Sequence, residues 1–259
     1  MPLSSQSPPV LEGVRLSAGY GKLPVIRDLD LRVGAGEVVA LVGPNGAGKT
    51  TTLKTLGGYL KPSAGTVRWN GHDVSSPPHK RARDGLAFVN DSRSVLRRLT
   101  TRQNLKLARV EHGACLALFP ELESRLDTKA GDLSGGEQQM LAVGRALARG
   151  PKLLMADELS LGLAPLAAER LLRAVRHAAD HDGVGVLLVE QHLNNALRYA
   201  DRICLIVAGR IEFDGMPQQV AENRSSVIRS YLEGSAAGLN HMASRSAAAT
   251  EPMDQQKEL

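Results

Sequence analysis

The chain has 259 residues, a net charge of +5 and 42% hydrophobic residues, which suits one large domain or two small lobes around a sizeable core. Aromatics are only 3%, so Leu, Val and Ala carry the packing, and the scattered Lys and Arg form no aromatic–basic cluster of the kind that grips nucleic acid. Cys115 and Cys204 lack metal-ligand spacing, and apolar runs such as Ile203 to Ala208 are too short to span a bilayer. The expectation is a reduced, cytoplasmic chain with no nucleic-acid partner, whose membrane role runs through other subunits.

Residues 1–9 lack the charged start and apolar run of a secretory signal and read as a disordered lead. Val10 to Leu16, Leu29 to Val33 and Thr66 to Trp69 alternate or run apolar between Gly-containing turns, which predicts strands. Glu37 to Val42 is a buried-strand candidate feeding a Gly-rich loop, and Thr50 to Leu60 has helical composition. The section from Thr100 to Asp127 reads as helical and polar. Lys152 to Ala156, Val184 to Val189 and Ile203 to Val207 are short apolar strands. They are separated by the helical stretches Pro165 to Asp180 and Leu193 to Tyr199. This alternation predicts parallel βαβ units. A hairpin over Gly209 to Gly215, a helix over Ser226 to Leu232 and a flexible tail over 235–259 complete the reading.

The chemistry begins at Gly43, Pro44, Asn45, Gly46, Ala47, Gly48, Lys49 and Thr50, which fit the phosphate-loop pattern GxxxxGK[ST]. The glycines let backbone N–H groups curl round phosphates, Lys49 supplies positive charge, and the Thr50 hydroxyl suits Mg²⁺. The context supports it, because the loop joins a predicted strand to a predicted helix. Downstream, Leu153 to Ala156 is an apolar strand that delivers Asp157 and Glu158 to its C-terminal edge, where ligands bind in open α/β sheets. Asp157 is the candidate for holding Mg²⁺ through water, and Glu158 for polarising the attacking water. Leu133-Ser-Gly-Gly-Glu-Gln-Gln139 precedes a helical stretch. Ser134, Gly135 and Gly136 there form either a second anion site or a helix cap.

LSGGEQQ between a phosphate loop and an acidic strand end resembles the signature motif of the ABC ATPases, and the likeness covers about residues 10–234. The resemblance implies an α/β P-loop ATPase fold: a RecA-like core, an antiparallel β part, and a helical lobe inserted at about 86–145. It implies two ATP molecules sandwiched in a head-to-tail homo- or heterodimer, with Ser134, Gly135 and Gly136 reaching the partner's γ-phosphate. It also implies that Tyr20 lies against adenine, that Thr51 reaches the α-phosphate side, and that His192 contacts the γ-phosphate. Asp157-Glu-Leu-Ser-Leu-Gly-Leu-Ala-Pro165 and Leu118-Phe-Pro-Glu-Leu122 resemble the ATPases of branched-chain amino-acid importers. Such ATPases work on the inner face of the membrane with permease subunits and, indirectly, an extracytoplasmic solute-binding protein.

The chain also departs from that pattern. Asp91 stands where the family has a longer Gln or Glu that touches Mg²⁺ and senses the membrane subunit. Leu159 replaces the usual Pro after the catalytic Glu. The stretch from Asn104 to Leu118 is shorter than in relatives by roughly a dozen residues, a change that loops and helix ends tolerate. The principal expectation is a transport-coupled ATP hydrolase. The rival expectation is a weakly hydrolysing, nucleotide-gated subunit that needs a competent partner.

Overall fold

The computed structural model describes residues 8–21, 23–90, 94–191 and 193–222. Asp91, His192, the predicted helix over Ser226 to Leu232 and the tail lie outside them.

The first part is an antiparallel sheet. β1 (Leu11–Tyr20) pairs with β2 (Leu23–Val33), and β3 (Val38–Val42) then enters a second sheet. α1 (Lys49–Leu56) follows β3. It stops short of the Leu60 read from composition because Gly57 and Gly58 follow, the latter at φ 79°. β4 (Ala64–Trp69) and β5 (His72–Asp73) complete a four-stranded sheet in the order β2-β1-β4-β5. α2 (Pro78–Arg83) leads to β6 (Leu86–Val89), a strand that the sequence reading passed over. β6 is only four residues long and joins the second sheet at its edge, parallel to a later strand.

The middle section differs from its polar reading. α3 (Thr101–Leu107) and α4 (His112–Leu118) are followed by a 3-10 segment over Pro120–Arg125. Leu105, Cys115, Phe119 and Leu122 are all fully buried there. Short helices expose most of their positions, so composition hides the few apolar residues that form an interior. α5 (Gly135–Leu147) packs against this lobe. A methyl at Gly144 of α5 would lie 2.5 Å from the Cys115 sulfur, so glycine there is what lets α4 close on α5. Thr100 starts α3 with a capping box shared with Gln103.

The remaining elements alternate as the sequence predicts. They are β7 (Leu153–Asp157), α6 (Pro165–Asp182), β8 (Gly185–Glu190), α7 (Leu193–Tyr199), β9 (Arg202–Val207), β10 (Arg210–Gly215) and α8 (Pro217–Glu222). The six-stranded sheet runs β10-β9-β3-β8-β7-β6, parallel throughout except for the terminal β9–β10 hairpin. β3, β7 and β8 are buried along their whole length, as strands covered on both faces must be. One face packs on the antiparallel sheet through Leu16, Ile26, Leu41, Leu53 and Met155. The other packs on α5, α6 and the helical lobe through Leu141, Leu154, Leu171 and Leu188. Arg202 locks the far corner. It donates to Glu37 and Asp214, each at 2.8 Å, and to the Arg32 carbonyl. Those partners hold its guanidinium in the charged form despite burial.

Candidate active site

The C-terminal ends of β3, β7 and β8 lie side by side, with Val42 opposite Glu190 and Asp157 opposite Val189. Everything that the sequence nominated on Gly43–Thr50 and Asp157–Glu158 therefore meets at one edge of the sheet.

The loop after β3 turns through Gly46 at φ 81° and Gly48 at φ 110°, conformations that favour glycine. Its first residue is constrained by packing instead. A methyl at Gly43 would sit 2.2 Å from the Ile206 carbonyl oxygen on β9. Gly43→Ala must therefore push the loop off β9, and we expect a loss of about 1–3 kcal/mol of stability together with weaker ATP binding. A thermal melt with and without ATP reads both effects, and a variant melting and binding like wild type would refute the packing argument.

Lys49 opens α1 and is buried to 6% exposure. Its ammonium donates to the carbonyls of Gly43 at 2.7 Å and Pro44 at 3.0 Å, so it lies back across the loop it ends. Burial pushes its pKa down, and Glu158 and Asp157 pull it back up. The lysine is thus a charge held ready at a site that lacks a full counter-charge. The first-turn amides of α1 add positive potential at the same point. Thr51 is buried behind Lys49 in α1, where its backbone carbonyl accepts from Thr55.

The Thr50 hydroxyl donates to Asp157 Oδ2 at 3.0 Å. A hydroxyl beside a buried carboxylate is a hard-oxygen pair that suits Mg²⁺, which Thr50 would ligate and Asp157 would hold through water. Asp157 itself is buried at the tip of β7. Glu158, one residue on, has φ 53°, a left-handed conformation that costs a non-glycine residue about 1–3 kcal/mol and clusters at functional sites. Its N–H is tied to the Val189 carbonyl at 3.0 Å, and its Oε1 accepts from Gln191 Nε2 at 2.6 Å.

Two features here escaped the sequence reading. One is Gln191, the first residue past β8, which holds Glu158. The other is a buried chain beside it. Asn195 Nδ2 donates to Ser160 Oγ at 3.2 Å, and Ser160 Oγ donates to Glu190 Oε2 at 2.7 Å. A glutamate closing an otherwise apolar strand was the available signal for it.

Ser134, Gly135 and Gly136 behave as a helix cap within this chain. The Ser134 hydroxyl accepts from the Glu137 N–H at 3.2 Å, and the Ser134 N–H donates to Glu137 Oε2 at 2.8 Å. Arg125 holds the same glutamate at 2.9 Å. Among the described residues no hydrogen bond joins this cap to the phosphate loop. Ser134 remains exposed, and the first-turn amides of Gly135 and Gly136 have no acceptor within α5. The cap thus leaves these amides open and is compatible with an anion site. Tyr20 ends β1 with 52% of its surface exposed, an open aromatic face.

Residues 26–160 match the family described as ABC transporter. The chain is 42% identical to the high-affinity branched-chain amino acid transport ATP-binding protein BraG of Pseudomonas aeruginosa, over 76% of this chain and 88% of that one. It is 38% identical to the probable branched-chain amino acid transport ATP-binding protein LivF of Archaeoglobus fulgidus, over 83% and 95%. It is 32% identical to the lipopolysaccharide export system ATP-binding protein LptB of Escherichia coli, over 86% and 96%. A solved ATP-binding subunit of an ABC transporter, 30% identical, superposes with a TM-score of 0.73 over 89% of this chain and 99% of that one. The chain belongs to the ABC transporter family, as a cassette that binds and hydrolyses ATP. Its likeness to the branched-chain amino-acid ATPases stands as the sequence motifs implied.

Proposed function

We propose that this chain hydrolyses ATP to power import of branched-chain or related amino acids, as a peripheral subunit on the inner face of the membrane. The observation that carries the reading is Glu158, held at the sheet edge beside Lys49 and the Thr50–Asp157 pair. Lys49 and the loop amides bind the phosphates, and Glu158 takes the proton of the attacking water. Bound Mg²⁺ supplies charge neutralisation for the phosphates, and Thr50 and Asp157 hold it. Asp91 and His192 complete the expected set as the sensor of Mg²⁺ and the contact to the γ-phosphate.

A complete site needs a second cassette, because Ser134, Gly135 and Gly136 make no contact with their own phosphate loop among the described residues. A cassette 25% identical to this chain, dimeric with ADP and Pi bound, supports that arrangement. In this reading residues 10–234 form the cassette, with the helical lobe within about 86–145. Among the described residues no helix is long and apolar enough to cross a membrane, so translocation falls to permease subunits. A separate extracytoplasmic protein would present the solute to them. The solute class rests on the higher identity to BraG and LivF than to LptB.

The permease contact falls on a cleft of about 860 Å³ between the core sheet and the helical lobe. Its lining includes the half-buried Phe88, the exposed Leu96 and Leu107, and the charged Arg83, Asp84, Arg149 and Lys152, a mostly basic set. The test is leucine uptake by proteoliposomes holding the complex with its permeases. Uptake is expected to need ATP and to fall about tenfold in Arg149→Glu, a loss worth roughly 1.4 kcal/mol of coupling, with ATPase activity of the free subunit kept. ATP-dependent release of lipid with no amino-acid uptake would overturn the reading.

A further inference from the structure

His177 and His181 stand one turn apart on α6, both exposed, at the edge of the sheet opposite the phosphate loop. Their rings stack with centroids 4.2 Å apart and planes 15° apart. We infer that this pair is a chelating site for a borderline transition-metal ion, of which Zn²⁺ is the representative.

The spacing comes from the helix. Residues four apart share one face of an α-helix, with Cβ atoms about 5–6 Å apart, and the same spacing serves zinc in H-E-x-x-H helices. The helix itself is fixed. Its inner face is buried through Leu171, Leu172, Val175, Ala178 and Ala179. Arg176 pins this stretch to the sheet, donating to Asp201 at 2.7 Å and to the Gly36 carbonyl at 3.3 Å.

A metal takes the lone pair of a neutral imidazole, and the other ring nitrogen then carries the proton. His181 Nδ1 lies 3.1 Å from the His177 carbonyl oxygen. A carbonyl oxygen only accepts, so Nδ1 is the protonated donor and the lone pair falls on Nε2. Metal-bound histidines are commonly tied in this way, by the second nitrogen to a backbone carbonyl. His177 is exposed, so its ring can turn a nitrogen to the same ion. Two nitrogens on one tetrahedral Zn²⁺ are about 3.3 Å apart, so a small rotation of two stacked rings brings both onto it.

The position favours a cation. His181 lies in the last turn of α6, where unpaired carbonyls make the negative end of the helix, and Asp182 is its neighbour. The cation one turn before His177, Arg173, is held by Glu169 at 2.8 Å. Imidazole nitrogens suit Zn²⁺, Ni²⁺ and Cu²⁺, whereas Mg²⁺ demands oxygen, so the pair does not compete for the ion of Thr50 and Asp157. Among the described residues no group of three or more His, Cys, Asp or Glu is placed to hold a metal. Water therefore fills the remaining positions, which makes this an open, exchangeable site and not a closed structural zinc. An ion on both rings ties two successive turns. The unfolded chain offers the pair in no fixed geometry, so binding is read as stability.

The test is zinc titration of the untagged full chain in excess Mg²⁺, by calorimetry and by thermal melting. One Zn²⁺ per chain is expected at this pair, and at a hundred times its Kd the melting temperature should rise by about 5–10 °C. EDTA should reverse the rise. Losing the hydrogen-bond partner of a metal ligand costs about 10- to 100-fold in affinity, and losing a ligand costs no less. His177→Ala and His181→Ala should therefore each weaken binding by about tenfold or more. Both should melt like wild type in EDTA, since the side chains are exposed. The double variant His181→Asn/Asp182→His keeps two histidines but moves one off the shared face, and it should bind no better than the single variants. Zinc bound equally by all of these proteins would place the ion elsewhere and overturn the inference. So would a wild-type chain whose melting zinc does not shift, or a double variant that binds like wild type.

Discussion

Glu158→Gln should bind ATP as wild type does and hydrolyse it about 10²- to 10⁴-fold more slowly. The substitution changes one atom and keeps the shape. Its amide oxygen can still accept from Gln191, so the 2.6 Å contact and the left-handed turn survive. What disappears is the proton acceptor. Lys49, Thr50 and Asp157 are untouched, and Ser134 still caps α5. Binding energy that closes a dimer is then present without the step that reopens it. Size-exclusion chromatography with ATP and Mg²⁺ should show a persistent dimer in the variant and a transient one in wild type. A native turnover rate would remove Glu158 from the mechanism, and with it the observation on which the ATPase reading rests. A slow variant that stayed monomeric with ATP would leave the chemistry standing and send the search for the second site to a different partner cassette.

How much of this was legible beforehand depends on how local each feature is. The phosphate loop is contiguous, and its glycines, lysine and threonine do their work within eight residues of one another, so the string alone specified it. Asp157 and Glu158 were legible because a wholly apolar strand ends on them. The Gln191 contact joins residues 33 apart, and the Ser160–Glu190 contact residues 30 apart. Neither spacing has a period that a pattern can detect, since both arise from the pairing of β7 with β8. β6 was missed for a related reason. Four residues that only partly face the core give little alternation, and the neighbour β7 is what makes them a strand. The helical lobe hid its interior behind a polar composition, although Phe119 and Leu122 within it are as buried as any residue of the sheet. The resemblance to the family supplied the dimeric arrangement, which no pattern in a single chain contains.

Lys49→Met separates binding from chemistry in the opposite sense to Glu158→Gln. Methionine matches the lysine stem in length and packs readily in a buried slot, so the fold should persist. The bonds from the ammonium to the buried carbonyls of Gly43 and Pro44 are lost, which costs stability. The buried charge also disappears, and with it the desolvation that pushes the lysine pKa down. These terms oppose one another, and the nucleotide-free protein should melt close to wild type. ATP changes the comparison, because its phosphates meet an ammonium in one protein and a thioether in the other. A hydrogen bond to a charged group is worth about 1.5–3 kcal/mol, and each 1.4 kcal/mol is roughly tenfold in Kd. Losing two such bonds should therefore weaken ATP binding by about 10²-fold or more. Ligand at a hundred times its Kd stabilises a protein by about 2.7 kcal/mol, and at its Kd by only about 0.4 kcal/mol. At an ATP concentration that saturates wild type a hundredfold, the thermal shift should therefore nearly vanish in Lys49→Met while Glu158→Gln keeps it in full. An ATP-induced shift in Lys49→Met equal to that of wild type would mean that the loop amides alone hold the nucleotide and that the buried ammonium serves the fold.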